Sequence, residues 1–121
     1  DYVEALCDKG VYVGCDQLGF PSLNSYENLA KMVAALCRKG YQDQIFLSHD
    51  SAVISDFGIA TAPVAHTDES GMIGDYSQAF EIMPPLLERE GVSAAQFHAI
   101  MTENPRRYFE GRPISANQTT R

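Results

Sequence analysis

Apolar residues recur every three or four positions between about residues 26 and 39, the spacing that places them on one face of an α-helix. The residues on this face are Leu29, Met32, Val33, Leu36 and Cys37. Asn24 or Ser25 can cap the amino end of this helix, and Gly40 can end it in a left-handed conformation. We therefore expect an amphipathic helix over residues 26–39.

A six-residue motif occurs twice, thirty residues apart: ALCDKG at positions 5–10 and ALCRKG at positions 35–40. The first copy ends a short helical pattern that has Tyr2, Val3, Leu6 and Cys7 on one face. Each copy is followed by an apolar run that predicts a β-strand, Val11–Cys15 and then Ile45–Leu47, and each strand is followed by an acid, Asp16 and Asp50. This repeated order of helix, glycine, strand and acid is typical of βα units in a parallel sheet.

The stretch from residue 50 to residue 74 has no hydrophobic period and is predicted to be a long functional loop or lid. A third helix is expected over residues 75–90, kinked or divided by Pro84 and Pro85 and ended by Gly91. Its apolar side consists of Tyr76, Ala79, Phe80, Met83 and Leu87.

Ser93 is expected to cap a further short helix that Asn104-Pro105 stops. The apolar residues of this helix are Phe97, Ile100 and Met101. After the stop we expect an anchoring turn in which Phe109 packs, while Arg106 and Arg107 are solvated or pair with acids.

The predicted order is α-β-α-β-α-α with parallel strands. Two strands make a poor sheet by themselves, and both look buried on two faces. We therefore expect residues 1–110 to be part of a larger parallel sheet or barrel, followed by a polar tail at 111–121. The chain starts at Asp1 without an initiator methionine, which also favours a piece of something longer.

The chain carries a net charge of −7, which argues against nucleic acid and anionic membranes as partners. No apolar run approaches the roughly 20 residues that span a bilayer. The three cysteines, Cys7, Cys15 and Cys37, are widely spaced and odd in number, so we expect buried thiols in a reducing, cytoplasmic setting.

Asp50 is the first candidate for chemistry, because a carboxylate at the carboxyl end of a parallel strand can bind a divalent metal or act as a general base. It can equally be a turn aspartate that opens the loop. Asp16 stands at the equivalent place on the preceding strand and has the same two interpretations.

The three histidines are weaker candidates. Neighbouring strand residues point to opposite faces, so His49 and Asp50 cannot easily face one metal, and we expect His49 to be structural or to lie behind the site. His66 and His98 have no partner at ligand spacing and are expected to be solvated.

Four segments of the chain, in this order and spacing, resemble the C-terminal part of the phosphotriesterase family within the amidohydrolase superfamily. They are Gly10–Asp16, Gly40–Asp50, Met83–Val92 and Thr102–Phe109. The resemblance implies an α/β fold, the C-terminal portion of a (β/α)₈ TIM barrel that supplies helix 6, strand 7, helix 7, strand 8 and the closing helices.

The resemblance also implies a site with two divalent metal ions, expected to be zinc, most of whose ligands lie outside this chain. Asp50 matches the strand 8 aspartate, which binds one metal and takes a proton from the bridging hydroxide during attack. Asp16 matches an acid that stands behind the metal ligands or faces the substrate. Gln17 follows it where true phosphotriesterases carry a histidine that can relay protons, which leaves lactones and other esters open as substrates.

Such a hydrolase would need the remaining barrel segment and is compatible with a homodimer. Two alternatives to it remain. The first is a non-catalytic, truncated half-barrel that folds only with a partner chain or as an oligomer. The second is a small flavodoxin-like binding domain, which the α/β alternation allows, although there are few strands and no phosphate loop. By itself the 121-residue chain is expected to be inactive.

Overall fold

The computed structural model of this protein describes residues 2–19, 23–50 and 77–114. Residues 51–74 of the predicted loop, which include His66, lie outside the described residues, as do Tyr76 and the tail beyond residue 114. In the part of the chain that is described, no helix is long and apolar enough to cross a bilayer.

The first half of the chain forms the two predicted helix–strand units. Helix α1 (Tyr2–Cys7) leads to strand β1 (Val13–Cys15), and helix α2 (Tyr26–Arg38) leads through a 3₁₀ turn (Gln42–Gln44) to strand β2 (Ile45–Leu47). Strand β1 is shorter than the predicted Val11–Cys15, because the residues opposite Val11 and Tyr12 belong to the 3₁₀ turn rather than to β2. Gly10 and Gly40 follow the two helices with φ angles of 73° and 84°, the left-handed region that favours glycine.

The cap of α2 is Ser25 rather than Asn24. The Asn28 backbone N–H donates to Ser25 Oγ at 3.3 Å, satisfying one of the amide groups that the first turn leaves without an acceptor.

The third predicted helix is divided, as its prolines indicated. Helix α3 (Gln78–Glu81) ends one residue before helix α4 (Met83–Arg89) begins. Pro84 and Pro85 have no N–H to donate to the carbonyls of Phe80 and Glu81, so the ladder breaks there, and both residues fall in the first turn of α4, where no N–H is required.

Ser93 caps the next helix, with its side chain accepting from the Gln96 N–H while the Gln96 side chain accepts from the Ser93 N–H. Helix α5 (Ala94–His98) continues through a π-helical segment (Ala99–Glu103) into helix α6 (Asn104–Phe109). The prediction that Asn104-Pro105 stops this helix is therefore wrong. The Asn104 N–H donates to the Ala99 carbonyl five residues earlier, and this wider turn accommodates a proline ring that would clash in a regular α-helix.

Most of the helices pack against one face of a two-stranded parallel sheet, in which Val13 pairs with Ile45, Gly14 with Phe46 and Cys15 with Leu47. The largest fully buried side chains are Leu18, Ile45, Met83, Leu87, Ile100 and Val33. Full burial of each such side chain stabilises a fold by about 1.5–3 kcal/mol.

The other face of the sheet is open, where Gly14 and Ser48 are exposed and Phe46 is half-buried. The expectation that both strands are buried on two faces is therefore wrong for the described part of the chain.

Helical spacing also predicted more buried residues than the structure contains. Tyr2 is 78% exposed and Phe80 64% exposed, and Met32 lies at the edge of its buried face. Phe109, expected to pack, is 85% exposed. Spacing identifies a face of a helix, but it does not indicate how far other elements cover that face.

A buried asparagine joins the last helix to the start of β2. The Asn104 side-chain amide donates to the carbonyls of Gln42 at 2.7 Å and Ile45 at 2.8 Å. Arg107 donates to the Asp43 carbonyl and to Asn104 Oδ1, each at 3.3 Å. Arg106 does pair with an acid, Glu103. Helix α6 is thereby held against the amino end of the strand that leads to Asp50.

The three cysteines are buried free thiols, as predicted. Burial raises the pKa of Cys7, and it raises that of Cys37 to about 11 and that of Cys15 to about 12. These thiols are protonated at neutral pH, and they act as small apolar core residues.

Candidate functional site at the carboxyl ends of the strands

The two strands remain hydrogen-bonded beyond their carboxyl ends. The Ser48 N–H donates to the Cys15 carbonyl at 3.1 Å, and the Leu18 N–H donates to the Ser48 carbonyl at 3.3 Å. A third bond runs from the Gly19 N–H to the His49 carbonyl at 2.6 Å. The segments that carry Asp16 and Asp50 therefore leave the sheet side by side at one edge.

Asp50 is exposed and marks the point at which the chain turns away from β2. Its φ angle is 52°, and it is the one non-glycine residue with positive φ in the described ranges. Backbone in this region costs free energy for a residue with a Cβ, and such conformations are enriched at functional sites. This is the residue that the sequence singled out as a metal ligand and catalytic base.

Asp16 and Gln17 are both exposed just beyond β1. Continuing the register places Asp16 opposite Ser48, and strand alternation places both on the open face of the sheet, whereas Asp50 follows where the chain has already left the strand. Asp16 and Ser48 line a groove of about 650 Å³ on this face, whereas Gln17 is not among its described lining residues.

The floor of this groove is aromatic. The rings of Tyr12 and Phe46 stack with centroids 4.7 Å apart, and Tyr108 of α6 meets both edge-on at 5.5 Å. Gly14 lies between Tyr12 and Asp16 on the same strand, and Pro105 and Phe109 complete the lining.

Sequence reasoning missed the role of Tyr108. Alternation along the strands could have placed Tyr12 and Phe46 on the face of Asp16. No local pattern indicates that α6 returns to that face.

His49 contacts a helix and is not among the described residues that line the groove, and its expected place behind the site stays a prediction. Its Nε2 atom accepts a hydrogen bond from the Ala79 backbone N–H at 3.3 Å, at the start of α3. His98 is exposed, as expected.

A known protein family matches this chain. The model of the phosphotriesterase family matches residues 1–109, nearly the whole chain. The chain belongs to the phosphotriesterase family.

Individual phosphotriesterase relatives agree with this match. The chain is 31% identical over 110 residues to the phosphotriesterase homology protein of Mycobacterium tuberculosis, covering 90% of this chain and 32% of that protein. It is 29% identical over 109 residues to the aryldialkylphosphatase of Saccharolobus solfataricus, covering 90% of this chain and 34% of that protein.

A solved structure of the Mycobacterium tuberculosis phosphotriesterase superposes with a TM-score of 0.75 at 29% identity, over 90% of this chain and 32% of that chain. The chain thus spans about a third of the length of the phosphotriesterases that it matches. Its mixed helices and strands are consistent with a portion of a TIM barrel, and the assignment to strands 7 and 8 stays a prediction.

Family membership raises the question of a metal. In residues 2–19, 23–50 and 77–114, no group of three or more His, Cys, Asp or Glu side chains could hold an ion. Asp50 fits such a site as one oxygen donor, because it is exposed at the carboxyl end of its strand. Two ions require several more donors than the described residues bring together.

Proposed function

We propose that this chain is part of a metal-dependent hydrolase of the phosphotriesterase family, in which Asp50 is both a metal ligand and a proton acceptor. The observation that carries this proposal is the position of Asp50, in a strained turn at the carboxyl end of β2 beside the equivalent end of β1. Family membership favours a hydrolase over a non-catalytic half-barrel. The remaining barrel would provide the other ligands.

Two divalent ions, expected to be zinc, would supply an activated water and polarise the bond to be hydrolysed. The Asp50 carboxylate would hold one ion and accept a proton as the water attacks. Asp16, which lines the open groove next to Ser48, would face the substrate or support the residues that do.

The proposed substrates are lactones, carboxylic esters and phosphotriesters. Gln17 favours the first two, because an amide cannot relay a proton as the histidine found at this place in true phosphotriesterases can. The name of the Saccharolobus relative, aryldialkylphosphatase, keeps phosphotriesters among the candidates. The three protonated thiols fit the proposed cytoplasmic location, since reducing compartments keep cysteines free.

The test is the metal content of the complete barrel that contains this chain, measured for the wild type and for Asp50→Asn. We expect the substitution to remove at least one of the two ions and to abolish ester hydrolysis. Asp43→Asn is the matched control, because Asp43 is a carboxylate in the 3₁₀ turn that precedes the same strand, at the end away from Asp50. Unchanged metal content and activity in Asp50→Asn would exclude Asp50 from the site.

A further inference from the structure

Two hydrogen bonds within the described part of the chain hold His49. Its carbonyl accepts from the Gly19 N–H at 2.6 Å, and its ring Nε2 accepts from the Ala79 N–H at 3.3 Å. The second bond joins residues thirty positions apart and connects the carboxyl end of β2 to the start of α3. Because Nε2 accepts, the neutral ring carries its proton on Nδ1.

The Ala79 N–H requires such an acceptor. Ala79 is the second residue of α3, too near the amino end for its own N–H to reach a carbonyl of the helix, and the residue is fully buried. A buried amide without an acceptor is costly, so the imidazole has a stabilising role at the least.

The position of His49 indicates a further role. The next residue is Asp50, at which the chain takes a φ angle of 52° and leaves the strand. The direction in which the Asp50 carboxylate departs depends on the peptide that joins the two residues. The carbonyl of that peptide accepts from the Gly19 N–H, and the His49 side chain next to it is held by the Ala79 N–H.

We propose that His49 is a positioning residue for Asp50: by accepting the Ala79 amide, its imidazole fixes the turn from which the carboxylate reaches a metal. This inference rests on the proposed function, because it takes Asp50 to be a metal ligand. Groups behind a ligand that orient it raise metal affinity by about 10- to 100-fold in known metal sites.

The test compares two substitutions in the complete barrel that contains this chain. His49→Gln keeps an acceptor, because the side-chain Oε1 of glutamine can occupy the place of Nε2. His49→Leu removes the acceptor and retains a side chain of similar bulk. The measured quantity is zinc affinity, from titration of the metal-free protein against a competing chelator, together with the denaturant midpoint of each variant.

We expect His49→Leu to weaken zinc binding by about 10- to 100-fold and His49→Gln to stay within about threefold of the wild type. Ser93→Ala controls for general loss of stability, because it removes a helix cap that contacts none of these groups. It should lower the denaturant midpoint and leave zinc affinity unchanged. A His49→Leu protein that is folded and binds zinc within threefold of the wild type would overturn the proposal.

Two further variants keep the outcomes distinct. Asp50→Asn measured alongside tests the proposed function itself: if it binds zinc normally, the proposed ligand and the role of His49 both fail. If Asp50→Asn loses zinc and His49→Leu does not, only the role of His49 fails. Should His49→Leu not fold, His49→Asn replaces it, since its shorter amide cannot reach Ala79, and equal affinities for the Asn and Gln variants would then overturn the proposal.

Discussion

The Cys15 side chain shows how burial of one thiol affects stability. Burial raises its pKa from 9.0 to about 12, so the folded protein keeps this proton over a range in which the unfolded chain loses it. The stabilisation is complete below about pH 9 and is lost as the pH rises towards 12. Raising the pH from 8 to 10 should therefore lower the free energy of unfolding by about 1.4 kcal/mol, because the Cys15 thiol then ionises in the unfolded chain.

Urea unfolding of the complete barrel at the two pH values measures this loss. Cys15→Ala is the control, because it removes the thiol and should show a correspondingly smaller decrease on going to pH 10. If wild type and Cys15→Ala lost the same amount, the thiol would not be the titrating group.

The Asn104 side chain is the second residue whose effect can be measured. Its side chain is fully buried and donates to two carbonyls, that of Ile45 in a buried hydrogen bond and that of Gln42 in a part-buried one. We expect Asn104→Leu to destabilise the protein by about 2–4 kcal/mol, because each buried carbonyl that loses its donor costs about 1–3 kcal/mol. Thr102→Ala, at an exposed position in the adjacent π-helical segment, is the control in chemical denaturation. A similar loss in both variants would argue against the two hydrogen bonds as the cause.

Single residues also show how far sequence reasoning reaches. Asp16 and Asp50 could be placed at one edge of a sheet from the sequence, because parallel strands end together. The hydrogen bonds of Asn104 and His49 could not be predicted from the sequence, because each joins elements that are distant along the chain.

At the scale of elements, helix α5 depends on the reciprocal cap between Ser93 and Gln96. Ser93→Ala should lower the free energy of unfolding by about 1 kcal/mol, since it leaves a first-turn amide without its acceptor. Gln96→Ala should have a smaller effect, and the double variant should lose less than the sum, because the two side chains form one unit. Denaturant unfolding of the three variants measures this coupling. Strict additivity would mean that the two side chains act independently.

The ends of helices could be predicted from the sequence where a single residue determines them. Gly10, Gly40 and Gly91 end helices, and Ser25 and Ser93 begin them, because these residues satisfy or terminate a helix by themselves. Asn104-Pro105 misled the prediction, because the π-helical turn that accommodates the proline depends on packing against β2 rather than on a sequence signal.

At the scale of the whole molecule, the open face of the sheet indicates where the remaining barrel would pack. The Tyr12 hydroxyl is buried without a hydrogen-bond partner among the described residues, and the aromatic rings around it form the floor of the groove on this face. We expect the isolated chain to associate or aggregate, and a complementary segment that carries the rest of a phosphotriesterase barrel to convert it into a monodisperse, zinc-binding complex.

Two substitutions test this prediction. Phe46→Asp should prevent formation of the complex by placing a charge on the open face, whereas Met32→Asp, at an exposed position on α2, should permit it. Size-exclusion chromatography with metal analysis of the eluted complex measures both variants. A stable monomer of the isolated chain, or equal behaviour of the two variants, would show that this face is complete without a neighbour.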